Sequence, residues 1–300
     1  IKLAREGFGV TEMQAKGLNN VKKSLVSAND HPIPFVKEDQ WKVGDILTQK
    51  NLANTLEEIK KSKRDGFYKG AVAELIINEM KSGGGIITQS DLDNYSSVWR
   101  EPVIGYFKNH KIISMGPPSS GGIALIQLLY GAEQLETKNY DHNSLEYINT
   151  ITEIESRVYA DRATHLGDPD FFNVPQKSLL DKEYLLNRFS EIESSIKTPS
   201  SEVKEGSFNG IESEETTHFS IVDKYGNAVS VTTTINGGYG SKVVVDGAGF
   251  LLNNEMDDFS VKPGYPNMFG LVGGEANSIE PNKRMPVSYT HLTLPTKRIV

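Results

Sequence analysis

Two strand-like runs, TTHFSIVD and NAVSVTTTIN, stand on either side of Lys224, Tyr225 and Gly226, and their alternation leaves few ways to pair them. Threonine, valine and isoleucine favour strands because branched side chains pack well on a pleated surface. A three-residue loop with Gly226 in the left-handed region pairs Asp223 with Asn227. Counting back, Ile221 faces Val229, Phe219 faces Val231 and Thr216 faces Thr234. One face is then apolar and is expected to meet the core. The other is rich in hydroxyls and carries Thr216, His218, Thr232, Thr234 and Asn236. A two-residue loop would slip the pairing by one and mix the faces.

Before this hairpin the chain reads mostly as helices. Asn51 to Lys61 has helical character, and Val72, Leu75, Ile76 and Met80 follow at helical spacing, with Gly83 to Gly85 as the stop. Thr88 with Asp91 begins another short helix. VIGYF and KIISM flank the turn-like KNH as a second hairpin. Pro117 to Gly122 leads into an apolar helix, Ile123 to Leu135, and Asn143 with Glu146 resembles a capping box for the next. Thr198 to Glu215 is polar and aperiodic, the pattern of an exposed linker. This divides the chain into a mostly helical portion, 1–215, a hairpin-bearing portion, 216–285, and a tail, 286–300.

Composition removes several function classes. A formal charge of -7 argues against nucleic-acid binding, which needs clustered lysine and arginine. No apolar run approaches the roughly 18 residues of a membrane-spanning helix. The absence of cysteine excludes disulfides, thiolate chemistry and cysteine-ligated zinc. Asp161, Arg162, Asp168 and Asp170 have the spacing of no standard metal loop, and salt bridges and turns are the expected use. Pro117 to Gly122 could cradle an anion at a helix start, or be a tight turn into a packed helix. The chain opens on Ile1 with no visible secretory signal, as though inside a longer protein.

A lone threonine is a weak nucleophile. One solution is to make it N-terminal, so that its own α-amine, with a pKa near ~8, takes the hydroxyl proton. A polar linker ending at Glu215, followed at once by a strand, is a sensible place for the required cut. From spacing alone, threonine-rich strands are usually just strands. Glu255, Asp257 and Asp258 can be read as a solvated acidic turn, or as carboxylates awaiting an ammonium.

The run TTHFSIVDKYGNAVSVTTTIN, then GFLLNNEMDDFSVKPGYPNMFGLVGGEAN and PNKRM, resembles the start of the small subunit of gamma-glutamyltransferases. RDGFYKGAVAELI, MGPPSSGGIALIQLL and YADRATHLGDPDF resemble the large subunit, so the likeness runs from about Ala4 to Met285. It implies an α+β fold, the four-layer αββα sandwich of N-terminal nucleophile hydrolases, incomplete at both ends. It implies autocatalytic cleavage between Glu215 and Thr216 of a zymogen into two subunits, with Thr216 as nucleophile. Thr234 matches the threonine supporting that nucleophile, and Asn236 a residue at the substrate's glutamyl end. Glu255 and Asp258 match the pair holding the α-amino group, and His218 a neighbour rather than the base.

The implied activity is γ-glutamyl transfer and hydrolysis on glutathione-like amides, with an amino acid or peptide as acceptor and no metal or organic cofactor. Sister amidases, a cephalosporin acylase or a poly-γ-glutamate depolymerase, and an inactive fragment are the competing expectations. The family is usually exported, which implies a periplasmic or extracellular location. The family's carboxylate-gripping arginine lies in a part of its large subunit preceding Ile1. Its Ser-Ser motif and Gly-Gly pair would follow Met285, where PVSYTHLTLPTKRIV reads instead as a foreign junction.

Overall fold

The computed structural model describes residues 1–199, 202–203 and 217–285. Glu215, Thr216, most of the polar linker and the 286–300 tail lie outside the described residues. The chain divides into two compact units, 1–98 with 237–254, and 99–236 with 255–300.

The first unit contains α1 (Lys2–Glu6), β1 (Phe8–Gly9), α2 (Glu12–Ala28), β2 (Ile46–Leu47), α3 (Lys50–Ser62), α4 (Asp65–Tyr68), α5 (Gly70–Gly83) and α6 (Gln89–Asn94). At the start of α2 the Thr11 hydroxyl accepts the Gln14 N–H at 3.3 Å, and Gln14 Oε1 accepts the Thr11 N–H at 3.0 Å. This reciprocal cap satisfies two donors that a helix end otherwise leaves bare. Thr88 and Asp91 do the same for α6. Gly84, at φ 71°, ends α5 in the left-handed conformation that glycine adopts without strain.

Leu18, Leu25, Phe35, Trp41 and Val244 form one core of this unit, and Val72, Ile76, Leu92 and Val245 a second. The returning segment 237–254 is held by side chains. Asn29 accepts the Val244 N–H at 2.8 Å and donates to the Lys242 carbonyl at 2.9 Å, and Thr55 donates to the Ala248 carbonyl at 2.9 Å. A paired buried backbone group avoids a desolvation penalty of about 1–3 kcal/mol.

The second unit contains β3 (Val103–Phe107), β4 (His110–Ser114), α7 (Gly121–Gln134), α8 (Leu145–His165), α9 (Gln176–Leu179), α10 (Lys182–Phe189), β5 (Thr217–Val222) and β6 (Ala228–Thr233). Phe107 pairs with His110, so the first hairpin turns on Lys108 and Asn109, one residue tighter than KNH. The cap of α8 falls one residue later than expected. Asn143 sits at φ 59° in the turn, and the Ser144 hydroxyl accepts the Tyr147 N–H at 3.1 Å.

Ile123, Ile126, Val103 and Leu166 make one core of this unit, and Ile154, Val158, Leu185 and Phe189 another. Between them runs a buried polar network. Asp161 accepts from the Tyr184 hydroxyl at 2.7 Å and Arg188 Nε at 3.1 Å, while Arg157 pairs with Glu153 at 2.7 Å. Asp168 and Asp170 pair with Arg100 at 3.3 and 2.6 Å. Three members of the Asp161–Asp170 group are therefore engaged in salt bridges, as their spacing suggested. The Pro117–Gly122 stretch is a packed turn: Ser119 and Ser120 are buried, and a Cβ on Gly122 would lie 2.2 Å from the Met115 carbonyl oxygen.

The β5–β6 hairpin has the register read from the sequence, with Phe219↔Val231 and Ile221↔Val229. Asp223 donates to the Asn227 carbonyl at 3.0 Å across a loop whose Gly226 sits at φ 84°. Among the described residues the ladder runs to Thr217↔Thr233, and Thr216, the expected partner of Thr234, lies outside them. Its apolar face does not meet a core, contrary to expectation. Phe219, Ile221 and Val229 are 45, 58 and 54% exposed, because no third strand joins the pair among the described residues. The class is mixed α and β, and the sheets described are three antiparallel two-stranded ladders.

Candidate active site

The end of β6 and two short turns of the second unit build a cavity of about 290 Å³. Thr234, Asn236 and Asp258 line it, together with Ser120 and Arg162 from around α7 and α8, and the loop running from Ser260 to Gly273. Asn236 is buried and left-handed, at φ 68°, and its N–H donates to Thr234 Oγ1 at 2.9 Å. That bond fixes the Thr234 hydroxyl at the end of the hairpin. Asparagine tolerates this conformation better than most residues.

Glu255 to Asp258 form a single 3₁₀ turn. Asn277 Nδ2 donates to the Asp258 carbonyl at 2.7 Å, and Asn267 Nδ2 to the Asp257 carbonyl at 3.3 Å. Burial pushes the Glu255 carboxyl up to about 7, and the charge on Asp258 adds to the rise. Burial also raises Asp258, to about 6, against the pull of the Arg162 guanidinium and with a push from Asp257. Two carboxyls so raised gain most from a partner that brings its own positive charge.

Around the turn, glycine permits close approach. A Cβ on Gly273 would lie 2.1 Å from Ser260 Oγ. The PNKRM motif is structural: Lys283 Nζ donates to the Ala276 and Ser278 carbonyls at 3.2 and 2.8 Å, and the Arg284 N–H donates to Asp168 at 2.8 Å. His218 lies on the hydroxyl face, bonded to Thr232 Oγ1 at 2.7 Å and Ser230 Oγ at 3.1 Å.

Of the residues singled out in the sequence, Thr234, Asn236 and Asp258 meet at one cavity, and Glu255 shares the turn with Asp258. Glu215 and Thr216 lie outside the described residues. Sequence reasoning placed Arg162 in a salt-bridge group and missed its position on the cavity wall, where its Nε donates to Ser120 Oγ at 2.9 Å. It also missed Lys262 and Tyr265. Among the described residues no group of His, Asp and Glu is arranged to hold a metal, and no helix is long and apolar enough to cross a membrane.

Thr234 and Asp258 thus line one cavity, and the Asp258 carboxyl shares its turn with that of Glu255. The gamma-glutamyltranspeptidase family model matches residues 1–296, beyond the Met285 at which the sequence reading ended the resemblance. The chain belongs to that family. It is 44% identical over 298 residues to the glutathione hydrolase proenzyme of Escherichia coli, covering 99% of this chain and 51% of that protein. It is 49% identical over 293 residues to the glutathione hydrolase proenzyme of Pseudomonas aeruginosa, covering 95% and 50%. The crystal structure of Helicobacter pylori gamma-glutamyltranspeptidase superposes with a TM-score of 0.65 at 39% identity, covering 71% of this chain and 62% of that one. The chain spans about half the length of the curated relatives it matches.

Proposed function

We propose that the protein hydrolyses and transfers γ-glutamyl groups of glutathione-like amides, after cutting itself between Glu215 and Thr216 into two subunits. The observation that carries this reading is the meeting of Thr234, Asn236 and Asp258 at one cavity, with Glu255 on the same turn. Relatives named glutathione hydrolase proenzymes support both the activity and the processing.

In this reading the Thr216 hydroxyl oxygen bonds to the γ-carbonyl carbon. Its proton passes through the α-amine of Thr216 to the departing amine as the amide C–N bond breaks. Water then cleaves the γ-glutamyl ester to release glutamate, or an amino acid or peptide amine takes the glutamyl group. Glu255 and Asp258 hold the α-ammonium by charge-assisted hydrogen bonds. The expected compartment is periplasmic or extracellular.

Intact mass spectrometry together with γ-glutamyl anilide turnover tests the assignment. Thr216→Ala should remove both the cleavage and the turnover, and survival of either would overturn it. A glutaryl anilide cleaved faster than the γ-glutamyl one would point instead to an acylase.

A further inference from the structure

The charged residues lining the cavity are Arg162, Asp257, Asp258 and Lys262. Two of them are engaged within the structure. Arg162 is anchored on Ser120, with its charge acting on Asp258. Asp257 Oδ2 accepts the Met268 N–H at 2.9 Å. Lys262 differs: it is exposed, and its ammonium lies 3.5 Å from the centroid of the Tyr265 ring, with no carboxylate within 4.0 Å among the described residues. A cation over an aromatic face is held in place while keeping its charge for a partner.

The loop that carries Lys262 and Tyr265 is well tied. Gly264 donates to the Gly273 carbonyl at 3.0 Å, and Asn267 Oδ1 accepts the N–H groups of Phe269 and Leu271 at 3.0 and 2.9 Å. The cavity is thus lined by the half-buried carboxyl of Asp258, with Glu255 buried on the same turn, and by the exposed ammonium of Lys262. A γ-glutamyl peptide has the matching polarity, with an ammonium on the glutamyl end and a carboxylate at the far terminus of the amine it releases.

We propose that Lys262, steadied on Tyr265, recognises the terminal carboxylate of the leaving peptide and of a peptide or amino-acid acceptor. This rests on the γ-glutamyl reading above and makes Lys262 a specificity residue rather than a catalytic one. The test compares three donors on the protein and its Lys262→Gln and Lys262→Arg variants: glutathione, glutathione with its glycine carboxylate converted to the amide, and a γ-glutamyl anilide. Lys262→Gln should lower kcat/KM for glutathione about two- to fivefold, the range of an exposed ion pair, chiefly through KM. The two uncharged-end donors should be unaffected. Lys262→Arg should restore glutathione, and added salt should erase the difference. Equal loss on all three donors, or none on glutathione, would overturn the proposal. If the unaltered protein cleaves none of the three, the γ-glutamyl reading itself falls and the subsite with it.

Discussion

Binding of a ligand with an α-ammonium should tighten as pH rises through the range set by the acidic turn. Both carboxyls are raised, so their protonated forms prevail at low pH, while a ligand ammonium selects the ionised forms. With Asp258 at about 6, its ionised fraction climbs from roughly a tenth at about pH 5 to roughly nine-tenths at about pH 7. That alone predicts about tenfold tighter binding. With Glu255 at about 7, its fraction climbs from roughly a hundredth to roughly a half, about fiftyfold more if both must be ionised. The slope of log affinity against pH then separates one-proton from two-proton linkage, with the pair titrating in joint steps.

The assay is the inhibition constant of L-glutamate against that of glutarate, measured over the same range. Glutarate has the carboxylates but no ammonium, so the ratio isolates the turn. A ratio flat from about pH 5 to about pH 7 would refute the reasoning, since the raised carboxyls could not then be the ammonium site.

Two structural predictions follow from packing. Glu153→Ala leaves the buried Arg157 without its 2.7 Å partner and should destabilise the protein by about 3–5 kcal/mol in urea titration, with Glu153→Gln milder. Gly273→Ala drives a methyl toward Ser260 Oγ, 2.1 Å away, and should cost about 1–3 kcal/mol and raise KM. Adding Ser260→Ala should recover part of that loss, a non-additivity read from the double-mutant cycle.

The hairpin register was legible because alternation and a three-residue glycine turn admit one pairing that keeps Phe219, Ile221, Val229 and Val231 together. Helix ends marked by Thr88 and Gly84 were legible for the same local reasons. The face that the hairpin buries was not, since alternation says which residues share a side and not what covers it. The cavity wall was harder still. Arg162 sits among Asp161, Asp168 and Asp170 in sequence, yet successive helical residues point in different directions, and Arg162 turns toward Ser120 while Asp161 turns toward Arg188. Lys262 carried no signal of its own, because a lysine in a Gly- and Pro-rich loop reads as solvated surface.

The acidic turn sets recognition against stability. Moving the Glu255 carboxyl from an ordinary 4.5 to about 7 corresponds to on the order of 3 kcal/mol between its two charge states. The sign is that of a raised folded-state pKa: the stabilisation is present below the unfolded value and lost as pH rises through about 7. A lysine ion pair would relieve this, and Lys283 lies in the same unit. Yet its ammonium is spent on the Ala276 and Ser278 carbonyls and on Glu280 at 3.5 Å, not on Glu255 or Asp258. The turn is held instead by neutral bonds, from Asn277 to the Asp258 carbonyl and from Ser260 N–H to the Asn277 carbonyl at 2.9 Å. These bonds fix the backbone of the turn. Burial, only partly opposed by the Arg162 guanidinium, therefore keeps the Asp258 carboxyl raised, and a ligand ammonium would offset that cost.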